Sequence, residues 1–121
     1  MGPAEGLFNR AFYAQCQRAL AADGMLVQQT ESPLLHLELI RSVQDSLRAE
    51  GFAATQLLHF PQPVYPSGWW SATLARKSAA EPQAVAARVA ELASQTRYFN
   101  PGTLQGALAM PNFVRAALSE N

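Results

Sequence analysis

The run Met25-Leu26-Val27, apolar at three successive positions and followed at once by Gln28-Gln29-Thr30-Glu31, constrains this chain more than any other segment. A continuous apolar run between helical patterns reads as a buried parallel strand, and polar residues at its C-terminal tip then open onto a site. Upstream, Phe12, Tyr13, Cys16 and Leu20 recur at helical spacing, with Asn9 as the N-cap and Asp23-Gly24 as the stop. Downstream, Ser32-Pro33 breaks the strand, and Leu35, Leu39, Ile40, Val43 and Leu47 form the stripe of a second helix closed by Gly51. Thr55 to Phe60 is a second strand. Pro61-Gln62-Pro63 cannot continue a ladder, and Tyr65-Pro66-Ser67-Gly68 is a turn. Trp69 to Lys77 is then a third strand, close enough in sequence to pair antiparallel with the second. Glu81-Pro82 starts a further helix carrying Val85, Val89 and Leu92, Tyr98 to Gly102 reads as a turn, and a last helical stretch is interrupted at Pro111 and ends near Leu118. The expected class is α/β, with a small mixed sheet of about three strands and flanking helices.

Composition removes several functions. At 121 residues and 13.1 kDa the chain forms one domain at most, with enough apolar sequence (49%) for a single core. Nine basic and nine acidic residues cancel, which leaves no electrostatic footprint for nucleic acid or for a membrane surface. The single cysteine, Cys16, excludes an internal disulfide and a cysteine-based metal cluster, and it reads as a buried structural thiol. No apolar run approaches the ~20 residues of a membrane helix, and the first residues lack a signal-peptide pattern. The expected compartment is the cytoplasm.

In an open α/β sheet, ligands bind beyond the carboxyl ends of the strands. Gln28, Gln29, Thr30 and Glu31 lie at such an end, and Tyr65 follows the second strand. They read either as solvated loop residues or as a carboxylate, amides and a phenol that receive a polar, cationic small molecule. His36 and His59 have no cysteine or carboxylate at metal-ligand spacing and read as core-edge or surface residues. Ser67 lacks the Gly-x-Ser-x-Gly elbow, and the seven glycines make no phosphate-cradling loop. Trp69 and Trp70 read as sheet-packing residues rather than as a stacking platform. No metal site is expected.

Several short motifs occur in register with one family. Gly2-Pro3-Ala4 with Leu7-Phe8 fits the tail of the spermidine synthase catalytic loop, Asp-x-x-Asp-Pro-x-Gly-Pro-Ala-x-x-Leu-Phe, with Met1 at the apolar position before the glycine. Asp23-Gly24 and Gln29 fit the turn and strand end that follow, and His36 with Glu38-Leu39-Ile40 fits the opening of the next helix. Pro63-Val64-Tyr65-Pro66-Ser67-Gly68 resembles Pro-Thr-Tyr-Pro-Ser-Gly, Tyr98-Phe99-Asn100-Pro101 resembles Tyr-Tyr-Asn-Pro, and Met110-Pro111 with Phe113-Val114 resembles the closing Leu-Pro-x-Phe-Val. Nearly the whole chain thus resembles the C-terminal part of a spermidine synthase, a polyamine aminopropyltransferase.

The resemblance implies the closing half of a Rossmann-like, methyltransferase-type fold, with residues 1–121 forming a single partial domain. It implies that Pro3, Ala4 and Leu7 line the adenine side of the aminopropyl donor, decarboxylated S-adenosylmethionine. It implies that Gln29 and Tyr65 contact the amine acceptor, putrescine in the common case, with Glu31 beside them. No resident cofactor is implied. The family's two catalytic-loop aspartates, its glycine-rich donor loop and its N-terminal β-domain correspond to positions before Met1, and Glu31 cannot replace a carboxylate from another loop. Leu104 stands where the family's tail has a histidine. The chain alone is therefore expected to be inactive in aminopropyl transfer. The other reading is a non-catalytic module that self-associates or docks on a full-length synthase. Its basis is the edge of the Met25–Thr30 strand, expected to lack a parallel neighbour; a lysine or proline at Leu26 should then reduce homo-oligomer formation.

Overall fold

The computed structural model describes residues 8–118. The donor-loop positions Pro3, Ala4 and Leu7 lie outside these residues. Helix α1 (Arg10–Ala19) begins where Asn9 caps it, the Asn9 side chain accepting from the Phe12 amide at 2.9 Å. Strand β1 (Met25–Gln29) follows a turn at Gly24, where an added Cβ would come within 2.9 Å of the Leu20 Cβ. Helix α2 (Leu37–Ala49) buries Ile40, Val43, Gln44 and Leu47 and ends at Gly51, whose φ of 97° suits glycine. Strands β2 (Ala54–Pro61) and β3 (Trp69–Arg76) are joined by the loop holding the 3₁₀ turn Pro66–Gly68. Helices α3 (Pro82–Ala93), α4 (Pro101–Leu108) and α5 (Asn112–Leu118) complete the described chain. Among the described residues no helix is long and apolar enough to cross a membrane.

The α/β class and the three strands are as the sequence predicts, and β2 pairs antiparallel with β3 as expected. The strand order is β1-β3-β2, so β3 lies between the other two and is antiparallel to both. The expected mixed character therefore has no parallel ladder among the described residues; β1 and β2 run in the same direction but are separated by β3. Nor is β1 a fully buried strand. Its residues alternate, with Met25 39% and Val27 58% exposed while Leu26 turns inward. This is the period of a strand covered on one face only.

One face of the sheet lies under α1 and α2, and α3 and α4 lie on the other side of Leu58 and Leu74. Ala75 and Leu26 pack with Tyr13, Val43, Leu47 and Phe52, and Leu57 packs with Ile40 of α2 and Val114 of α5. Cys16 is half-buried against the first of these clusters as a free thiol. The Tyr98 to Gly102 segment is only partly a turn. Asn100 and Thr103 form a reciprocal capping box, and Pro101 occupies the first turn of α4.

Tyr13 is wholly buried, and its hydroxyl donates to Gln28 Oε1 at 2.6 Å. Burial pushes its phenol well above the ordinary value, and Cys16 adds to the shift. An unfolded phenol ionises near ~10, so this contribution to stability is full below about pH 10 and is lost as the pH rises toward the folded value. The expected slope is at most about 1.4 kcal/mol per pH unit. Urea unfolding of Tyr13→Phe between pH 9 and 11 should show a shallower alkaline decline than the parent chain; equal slopes would contradict the assignment.

Candidate functional site

The polar end of β1 and the β2–β3 loop meet at one corner of the sheet. Gln29 is the last residue of β1, paired with Ala72 of β3. Trp70 lies two residues earlier on β3, and its indole Nε1–H donates to Gln29 Oε1 at 3.1 Å. The Tyr65 ring lies against the Trp70 ring, with centroids 4.4 Å apart and planes inclined by 41°. Tyr65 remains 41% exposed. Two of the three predicted acceptor residues, 36 positions apart in sequence, are therefore joined through one side chain. Sequence reasoning assigned that side chain, Trp70, only to sheet packing. The available signal was its position two residues after the turn that holds Tyr65, at the start of β3.

Glu31 sits just past the strand with a left-handed backbone, φ 70°. Its carboxylate oxygen Oε1 is 3.5 Å from His36 Nδ1, a contact that is an ion pair only when the imidazole is protonated. The Glu31 side chain is 30% exposed, so it can also meet a ligand from solvent. Ser67, in the opposite loop, is the other described non-glycine residue with positive φ, at 71°. Left-handed backbone in non-glycine residues costs roughly 1–2 kcal/mol each and clusters at functional sites.

Hydroxyl groups knit these loops together. Ser71 Oγ donates to the Glu31 carbonyl at 2.8 Å. Having given its proton there, it accepts from Thr30 Oγ1 at 2.7 Å, and Thr30 in turn accepts from Thr73 Oγ1 at 3.0 Å. Thr30, Ser71 and Thr73 are all buried. On the other side, Ser32 Oγ accepts from the amides of Leu34 and Leu35 at 3.1 and 3.3 Å, so its proton goes to Ser67 Oγ at 2.9 Å. The sequence points to Thr30 only as a strand-end residue and to Ser67 only as a rejected nucleophile; their pairing with Ser71, Thr73 and Ser32 is not legible there, because the partners are 35 to 43 residues apart.

The remaining predicted sites fall elsewhere. His59 is committed to structure: its Nδ1 accepts from Trp69 Nε1 at 3.0 Å, which leaves Nε2–H to donate to the Ala109 carbonyl at 2.7 Å. No group of three or more His, Cys, Asp or Glu could hold a metal ion among the described residues. A cavity of about 590 Å³ lies between Leu58 and Leu74 of the sheet and Val85, Val89, Leu104 and Leu108 of α3 and α4. Gln29, Glu31 and Tyr65 do not line it.

A fold of this kind also occurs in solved structures. The spermidine synthase of Thermotoga maritima superposes with a TM-score of 0.80 at 29% identity, covering 96% of this chain and 40% of that one. A spermidine synthase in complex with the transition-state analogue AdoDATO superposes with a TM-score of 0.78, also at 29% identity, over 93% of this chain and 38% of that one. These likenesses place the sheet in the closing part of a Rossmann-like, methyltransferase-type fold.

The sequence profile of the spermine/spermidine synthase domain matches residues 1–84, which include every predicted acceptor and donor-loop residue. The polyamine aminopropyltransferase of Methylococcus capsulatus is 52% identical over 120 residues, and that of Stenotrophomonas maltophilia strain R551-3 is 49% identical over 118. The chain belongs to the spermine/spermidine synthase family. It spans 42% of the length of these two relatives.

Proposed function

We propose that this chain furnishes the amine-acceptor part of a polyamine aminopropyltransferase site, with putrescine as acceptor and decarboxylated S-adenosylmethionine as aminopropyl donor. The observation that carries the reading is the convergence of Gln29 and Tyr65 on Trp70, with the Glu31 carboxylate in the adjoining turn. Aromatic faces attract an alkylammonium, and a carboxylate neutralises it. In the reaction, a neutral amine nitrogen attacks the carbon bonded to the sulfonium. The C–N bond forms as the C–S bond breaks, sulfur leaves as a neutral thioether, and the amine proton passes to a carboxylate base. The proposal assigns proton acceptance to the aspartates of the family's catalytic-loop motif, which are not among residues 1–121, and acceptor binding to the residues named here. The donor-adenine contacts at Pro3, Ala4 and Leu7 belong to the same proposal.

Calorimetric titration with putrescine tests it. The parent chain should bind, Glu31→Gln should weaken binding about tenfold through loss of one charge-assisted contact, and Tyr65→Ala should weaken it further. Absence of any heat at millimolar putrescine would count against the site.

A second reading, a self-associating module, is favoured by one observation. Strand β1 pairs on one side only, with β3, so among the described residues its outer edge faces no strand. An unpaired edge is a template for another copy. Leu26 packs against the core cluster, so a lysine there would damage the fold as well as the edge. Val27, 58% exposed, is the better position. Val27→Lys should move the sedimentation coefficient toward that of a monomer; a parent chain already monomeric at micromolar concentration would sink this reading.

A further inference from the structure

We infer that the hydroxyls of Ser32, Ser67 and Ser71 are positioning residues that fix where the Glu31 carboxylate stands relative to the Tyr65 ring; the inference rests on the acceptor-site reading above. Glu31 and Tyr65 are held by different loops, and no contact between their own side chains sets their separation. What joins the loops is the Ser32–Ser67 hydroxyl pair, 2.9 Å apart and one or two residues from each functional side chain. Both loops are also held in conformations they would not adopt freely, with φ of 70° at Glu31 and 71° at Ser67.

Each left-handed residue is tied down by a hydroxyl. Ser71 holds the Glu31 carbonyl from beneath, at the end of the buried Thr73–Thr30–Ser71 series. Ser67 Oγ receives the Ser32 proton and is bonded both to the Trp69 carbonyl and to the Trp69 amide at 3.2 Å. That second tie reaches the residue next to Trp70, against which Tyr65 lies. Every donor in both series has an acceptor, so the network has a single consistent direction and does not need an alternative rotamer. A ligand with two charged ends would read the resulting separation as a length, so the hydroxyls set which diamine length fits rather than only how tightly any diamine binds.

The experiment uses three diamines, 1,3-diaminopropane, putrescine and cadaverine, titrated into the parent chain, Ser32→Ala, Ser32→Thr and Ser67→Gly, with the Trp70 indole N–H followed by NMR. Glycine takes the left-handed backbone at position 67 without strain, so that variant removes the hydroxyl while the loop's conformation stays accessible. The parent should rank the three lengths. Ser32→Ala and Ser67→Gly should bind the preferred diamine about tenfold more weakly and lose the ranking, and Ser32→Thr, which keeps the hydroxyl, should restore both. Uniform weakening with the ranking intact, or unchanged binding in Ser32→Ala and Ser67→Gly, would overturn the inference. If the parent binds none of the three, the acceptor-site reading fails, and the positioning role is judged by the indole resonance. A shift in Ser32→Ala that Ser32→Thr reverses supports it, and an unmoved resonance overturns it.

Discussion

Replacing Tyr13 by alanine is expected to lower folding stability by about 4 kcal/mol, within the range for removing a buried aromatic ring. Tyr13 is 0% exposed and lies at the centre of the cluster formed with Val43, Leu47, Phe52 and Ala75, so it joins α1, α2 and the sheet at once. Its ring also meets Phe12 with centroids 5.9 Å apart. The void cannot close easily, because the surrounding side chains come from three elements fixed by their own hydrogen bonds. A small domain has about 5–15 kcal/mol in total, so the variant should sit at the margin of folding. A urea midpoint within 0.5 M of the parent would show that the α1–sheet contact carries far less than this.

The second large effect is expected at Lys77, the only lysine in the chain. Its ammonium donates to the carbonyls of Gln17 and Leu20, at 2.6 and 2.8 Å, at the end of α1. These carbonyls have no partner further along the helix, and a cation there also meets the negative end of the helix dipole. The same residue's backbone amide bonds the Gly24 carbonyl, so Lys77 closes α1 onto the β1–β3 ladder. Lys77→Met keeps most of the aliphatic stem and should cost about 2–3 kcal/mol. Thermal unfolding checks this: a melting temperature lowered by roughly 5–12 °C is expected, and no change would mean that solvent satisfies these carbonyls equally well.

Much of the fold is legible in local residues. Asn9 is a cap because its side chain can reach the amide three residues on, and Gly51 ends α2 because it takes a positive φ. The β2–β3 pairing follows from short separation and from prolines that cannot continue a ladder. Two features are harder to read. The insertion of β3 between β1 and β2 depends on pairings far apart in sequence, such as Leu26 with Ala75, and a three-residue apolar run looks the same whether one face or both are covered. The start of α4 was readable in principle from Asn100-Pro101 and Thr103, yet the same residues also favour a turn. At the site, Gln29, Glu31 and Tyr65 stand out through motif and strand-end position. Trp70 and the serine and threonine hydroxyls do not, because their roles exist only once separate loops have been brought together.

The most direct test of the acceptor site is where putrescine acts on the folded chain. In ¹H–¹⁵N spectra recorded during a putrescine titration, the Gln29 side-chain amide, the Trp70 indole N–H and the amides flanking Glu31 and Tyr65 should shift together and saturate along one binding curve. Shifts confined to the cavity beneath α3 and α4, or no shifts at all, would contradict the assignment of this surface as the amine site.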